Sequence, residues 1–210
     1  GIHESQSRFY ENIIGRSEAF ISLIFPKIKE LFPEQFENVS AHDFYLAVNK
    51  AEPSLIRTEA DELTYSMHIM VRYEIEKRLM DGSLSTKDLP NEWNRLYKEY
   101  LGIDVPCDSM GCLQDSHWSG GALGYFPSYS LGSAYGAQFL HKMKQNIDID
   151  KLVSENRIDE VTAWLTEKIH KYGMLLTPAQ LIENACGEEF NADYYIEYLT
   201  EKYKKIYDLK

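Results

Sequence analysis

Hydrophobic side chains recur every three or four residues through most of this chain, the period of an amphipathic helix. Phe9, Ile13, Ala19, Phe20, Leu23 and Ile24 predict one long helix from His3 to Phe25. Pro26 should kink or stop it, because proline lacks the amide that a helix interior needs. A short helix should follow over Lys27–Phe32, ending at Pro33, and Ser40 is placed to cap another over Ala41–Val48. After the turn marked by Pro53, the spacing predicts a second long helix over Ser54–Met80. One stripe on it is apolar: Ala60, Leu63, Met67, Val71, Ile75 and Leu79. The other is polar: Arg57, Asp61, Tyr65, His68 and Arg72 step by three and four, so a continuous helix would put them on one face. That face reads either as a solvated, salt-bridged surface with Arg57–Asp61 paired, or as the wall of a cleft.

Asp81-Gly82 should break that helix, and Leu89-Pro90 should precede one through Trp93, Leu96, Tyr97 and Tyr100. Periodicity vanishes from Gly102 to Gly124, where glycine, polar and aromatic residues crowd together. A long irregular loop in a compact chain is often functional. Helical periodicity then resumes over Leu131–Met143, where Gly132, Ala134, Gly136 and Ala137 would permit close packing on a neighbour. Further segments are Ile149–Val153, Ile158–Tyr172, Pro178–Cys186 and Ala192–Tyr207, with Thr177-Pro178 as a helix start and Gly187 as a stop. No strand pair or internal repeat stands out. The expected fold class is all-α, a single helical region over residues 1–210.

Composition narrows the function. Hydrophobic residues are 44% of the chain, enough for a substantial core. Lys and Arg are outnumbered 22 to 33 by Asp and Glu, for a net charge of -11. That argues against a nucleic-acid partner, which needs clustered positive charge. No apolar run is long enough for a membrane span. Three cysteines, Cys107, Cys112 and Cys186, do not make a disulfide framework and favour a cytoplasmic setting.

Two stretches carry candidate chemistry. His3-Glu4 opens the first helix, and a helical carboxylate can be the third protein ligand of a catalytic zinc beside two histidines from H-E-x-x-H. H-E-x-x-H does not occur in this chain. A surface pair or helix cap is the plainer reading of His3-Glu4. In the loop, the spacing of Cys107, Cys112 and His117 suits a structural zinc poorly, and packing cysteines are the better fit. A Cys–His nucleophile is conceivable, but nothing near Cys107 or Cys112 is built for it. His117, close to Asp115 and Trp118, fits an imidazole held by a carboxylate or backbone partner.

Taken together, these stretches resemble the carboxypeptidase Taq family of zinc metallocarboxypeptidases. His3-Glu4-Ser5-Gln6-Ser7-Arg8 resembles one family signature. Ile56-Arg57-Thr58-Glu59-Ala60-Asp61 resembles [I/V]-R-x-x-A-D, and Gly111-Cys112-Leu113-Gln114-Asp115-Ser116-His117-Trp118 resembles G-x-x-Q-D-x-H-W. Tyr125-Phe126-Pro127-Ser128-Tyr129 follows in family order. The resemblance implies a cleft-containing helical zinc-peptidase fold, similar in shape to the angiotensin-converting-enzyme and neurolysin group. It implies release of single residues from peptide C-termini with broad specificity. Glu4 would be a metal ligand, with His3 and Ser7 orienting it. His117 and Tyr125 would donate to the oxyanion of the tetrahedral intermediate. Arg57, Gln114 and Tyr129 would meet the substrate, with the arginine of the family's D-x-R-x-T motif a rival to Arg57 for the substrate carboxylate, and Asp115 would support the site. The H-P-F, D-x-R-x-T and H-E-x-x-H motifs of the family would lie in an N-terminal portion preceding Gly1. One carboxylate cannot hold a catalytic zinc, so this chain alone is expected to be inactive. A homodimer is expected, as for other family members. The competing expectation is a non-catalytic helical domain left by a truncated gene or by proteolysis.

Overall fold

The computed structural model describes residues 1–210. They form ten α-helices joined by turns and loops, without a strand. The chain divides into two compact units: Gly1–Asn49 with Leu131–Lys210, and Lys50–Ser130.

The first unit begins with α1 (Ile2–Arg8), which passes into a π-turn over Phe9–Ile14 where the Gly15 amide reaches the Tyr10 carbonyl. The long helix expected over His3–Phe25 is therefore two helices. A fresh N-cap restarts the second: the Ser17 hydroxyl accepts from the Phe20 amide at 3.1 Å. The new helix, α2 (Glu18–Leu31), runs straight through Pro26. The sequence predicts a kink or a stop at Pro26, and the helix does not stop because tertiary packing overrides the lost hydrogen bond. Phe25, one residue earlier, is buried against Phe36 and Phe44, with ring centroids 5.8 and 5.6 Å away. Phe44 belongs to α3 (Ala41–Val48), which starts in a reciprocal Ser40–Asp43 capping box.

The rest of this unit is α6 (Pro127–Lys144) from Leu131 onward, α7 (Ile149–Ser154), α8 (Ile158–Lys168), α9 (Pro178–Cys186) and α10 (Asp193–Ile206). Phe9, Phe139, Met143, Val161, Leu165, Leu181 and Ile182 form its dry centre. The small residues of α6 do what their sequence suggested. A Cβ on Gly132 would sit 2.7 Å from the backbone carbon and the Cβ of Glu4, so α6 can approach α1 only because that position is glycine.

The second unit holds α4 (Tyr65–Met80) and α5 (Leu89–Leu101), packed through Val71, Ile75, Trp93, Leu96 and Tyr97. The long helix expected from Ser54 begins only at Tyr65. Arg57–Glu59 form a 3-10 turn, and Ala60 is extended. Asp61 sets the start of α4: its carboxylate accepts from the Thr64 amide at 2.9 Å, the Thr64 hydroxyl at 2.7 Å and the Glu52 amide at 3.0 Å. Arg57 and Asp61 consequently share no helical face and form no i,i+4 pair. The buried face of α4 carries Tyr65, His68, Arg72 and Glu76, while Leu63 and Met67 of the apolar stripe remain over a third exposed.

Candidate functional site

The loop between α5 and α6 is anchored by a buried polar cluster. Asp115 is its hub. One carboxylate oxygen accepts from Arg57 Nε and Nη2 at 3.0 and 2.7 Å; the other accepts from Arg72 Nε and Nη2 at 2.7 and 2.5 Å. Arg72 is fully buried and Arg57 nearly so. Burial pushes the Asp115 carboxyl up, but the two guanidinium groups outweigh it and hold it below the usual carboxylate range. Each arginine is also sandwiched by rings: Arg72 lies 4.6 Å from the Trp93 centroid, and Arg57 lies 4.9 Å from that of Tyr129.

Gln114 extends the clamp. Its carbonyl oxygen accepts from the Arg57 amide at 2.8 Å and Arg72 Nη2 at 3.0 Å, while its NH2 donates to the Leu55 and Gly111 carbonyls. Its amide is thus committed to the protein. Arg57 gives Nη1 to the Tyr65 hydroxyl at 2.8 Å, so three of its five N–H donors are engaged.

His117 sits two residues beyond the hub. Its Nε2 meets the Tyr129 hydroxyl at 3.0 Å, and its ring lies 4.4 Å from Phe126 and 5.9 Å from Tyr125. Asp115 does not hold the imidazole as the sequence suggested. Its oxygen is 3.9 Å from Nδ1, which is buried without a hydrogen-bond partner. The Asp115 oxygens are taken by the arginines instead. Burial, then the charge of Arg57, pushes the His117 pKa below the ordinary value, which favours the neutral ring. Tyr125 is 42% exposed, its ring edge-on to Tyr129 at 5.4 Å. His117, Tyr125 and Tyr129 therefore share one aromatic cluster, with Arg57 against its Tyr129 face.

Glu4, His3 and Ser7 lie in the other unit, on α1. The Ser7 hydroxyl donates to Glu4 at 3.0 Å, whereas His3 is exposed. Tight packing of Gly132 fixes the backbone at Glu4. No group of three His, Cys, Asp or Glu side chains able to hold a metal occurs. The donors of this chain do not by themselves fit a catalytic zinc, which takes three protein ligands.

Sequence reasoning missed Glu76 and left Arg72 as one member of a stripe. The signal was the spacing His68, Arg72, Glu76: four residues apart, on the face that α4 buries. His68 lies wholly inside, with Nδ1 3.1 Å from the Tyr97 hydroxyl and Nε2 unpartnered. Burial, then the Arg72 charge, lowers its pKa from 6.5 to about 4. Between those values the unfolded chain binds a proton that the native state refuses. Stability is therefore predicted to fall as pH drops from about 6.5 to about 4, by up to roughly 3 kcal/mol. Urea unfolding midpoints across that range should show the slope, and His68→Gln should flatten it.

Comparison with known proteins accords with the motifs. The family model described as carboxypeptidase Taq (M32) metallopeptidase matches residues 1–203. Carboxypeptidase 1 of Bacillus subtilis is 49% identical over 208 residues, which are 99% of this chain and 42% of that protein. Thermostable carboxypeptidase 1 of Pyrococcus furiosus is 44% identical over 97% of this chain and 41% of its own length. The crystal structure of an M32 carboxypeptidase from Deinococcus radiodurans superposes with a TM-score of 0.94 at 39% identity, covering 99% of this chain and 42% of that one. The chain thus spans about two-fifths of the length of these relatives. No helix is long and apolar enough to cross a membrane.

Proposed function

Because this chain belongs to the carboxypeptidase Taq (M32) metallopeptidase family, we propose that it is part of a zinc-dependent enzyme that removes single residues from peptide C-termini. The observation that carries this reading is the family match over residues 1–203. In it, these 210 residues supply the substrate side of the site and one metal ligand, Glu4. The other ligands and the base come from sequence outside them. Zinc would bring Lewis-acid activation of water and of the scissile carbonyl. With one ligand here, no step through the metal is derived from this chain.

The chain's own residues have separable tasks. Arg57 retains two N–H donors for a free α-carboxylate, the feature that distinguishes a peptide terminus from an internal bond. Asp115, Arg72 and Gln114 hold Arg57 and the loop still. His117, linked through Nε2 to the Tyr129 hydroxyl and favoured in its neutral form, can donate an Nε2–H to a developing oxyanion. Tyr125, half exposed beside it, is the second donor. The Ser7 hydroxyl and the Gly132 contact keep Glu4 in place.

The test is Glu4→Gln in a full-length family member carrying this segment. The variant is expected to keep its circular dichroism and to lose both bound zinc and peptide turnover. Unchanged zinc content with unchanged turnover would remove Glu4 from the metal site.

A further inference from the structure

The polar contacts of α4 extend one turn beyond the arginine clamp, to Glu76, which is 5% exposed. One of its carboxylate oxygens accepts from the Trp118 indole N–H at 2.8 Å and from the Gly124 amide at 3.1 Å. Trp118 follows His117, and Gly124 precedes Tyr125. A single oxygen atom therefore ties together the two ends of the turn that separates those side chains. We infer that Glu76 is a positioning residue, which sets the spacing of His117 and Tyr125. This rests on the oxyanion role proposed for them above.

The turn is built for such a tie. Gly121 and Gly124 both have φ +78°, a conformation other residues rarely adopt. Within it the Ala122 amide donates to the His117 carbonyl at 2.8 Å, and the Gly121 amide to that of Trp118 at 3.0 Å. The Trp118 ring is packed edge-on against Trp93 and Phe126, each 5.9 Å away, so the indole N–H has a fixed direction. The other Glu76 oxygen is buried without a hydrogen-bond partner. Burying a carboxylate with half its acceptors unused is costly. A residue serving only to fill space would be apolar here. The Glu76 charge also acts directly on His117, favouring its protonated form against Arg57 and Arg72.

The experiment uses a full-length family member carrying this segment. Glu76→Ala is expected to lower kcat about 10²-fold with KM little changed, the effect of misplacing groups that act in the transition state. Glu76→Gln, which keeps an acceptor oxygen, is expected to restore kcat to near the parent rate. The Trp118 indole proton resonance should move in the alanine variant and stay in the glutamine one. Trp118→Phe keeps the ring and removes the N–H, and it should act like Glu76→Ala; it carries the test if the alanine variant fails to fold. Parental kcat in Glu76→Ala or in Trp118→Phe overturns the proposal, as does a folded Glu76→Gln no better than alanine. His117→Ala and Tyr125→Phe are measured alongside. If both keep the parental kcat, the oxyanion reading falls and the positioning role falls with it. If both lose turnover while Glu76→Ala does not, only the positioning role falls.

Discussion

Asp115→Ala is expected to destabilise the second unit by about 3–5 kcal/mol, the cost of breaking a buried ion pair from one side. Two guanidinium groups share that carboxylate, and little of either reaches solvent: side-chain exposure is 7% for Arg57 and 0% for Arg72. Their remaining acceptors are neutral: the Tyr65 and Tyr97 hydroxyls, the His68 carbonyl and the Gln114 carbonyl. A loss of this size approaches the whole stability of a small domain. Urea denaturation followed by near-ultraviolet circular dichroism would measure it. Asp115→Asn should cost less, because it keeps acceptor capacity on one oxygen. A loss below about 1 kcal/mol for alanine would mean that the cluster behaves like an exposed ion pair. The acid dependence has the same origin. The Asp115 pKa is depressed, so its contribution is present above the ordinary carboxylate range and is lost as pH falls through the lowered value. That loss lies below the window assigned to His68.

His117→Ala, in a full-length family member carrying this segment, is expected to lower kcat by about 10²–10³-fold, the usual effect of removing one oxyanion donor. KM should change little, since the bond strengthens only as charge develops on the substrate oxygen. The structural basis is an imidazole whose neutral form is favoured by burial and by Arg57, bonded at Nε2 to Tyr129 and packed at a tilt against Phe126. A neutral ring has one N–H to give. Tyr129→Phe removes the hydroxyl at Nε2 and should reduce kcat less than loss of the imidazole. A single-turnover assay with a dipeptide-capped substrate would separate the chemical step from binding. Equal turnover by His117→Ala and the parent would assign the imidazole to packing.

The sequence foretold different features unequally, for physical reasons. Helix type followed from periodicity, and caps such as Ser40 and Thr177-Pro178 lie where their local chemistry put them. Two of the misjudged boundaries were decided by contacts that periodicity does not encode. The π-turn after Arg8 left the apolar spacing of Phe9 and Ile13 almost undisturbed, so one helix and two read alike. The start of α4 was set by Asp61 turning back on Thr64, and the 3–4 spacing of Arg57 and Asp61 gave no hint of it. Arg57 and Arg72 nevertheless meet, because Asp115 gathers them from a loop 43 to 58 residues along the chain, and Tyr65 joins through Arg57 Nη1. Motif chemistry identified Asp115 and His117 but joined them to each other. Only the structure shows that the carboxylate serves the arginines and the imidazole serves Tyr129. The spacing of Glu76 from His68 and Arg72 placed it on their face, but its partners, an indole and a backbone amide, are marked by no charge pattern.

The central claim is that these residues form the substrate side of a metallopeptidase site and contribute one carboxylate to its ion. Equilibrium dialysis against zinc, followed by metal analysis and a C-terminal residue-release assay, tests it most directly. The 210-residue chain and a full-length family member carrying it would be compared side by side. The account predicts stoichiometric zinc and turnover only for the longer protein. Stoichiometric zinc bound by the 210 residues alone, with release of C-terminal residues, would contradict it.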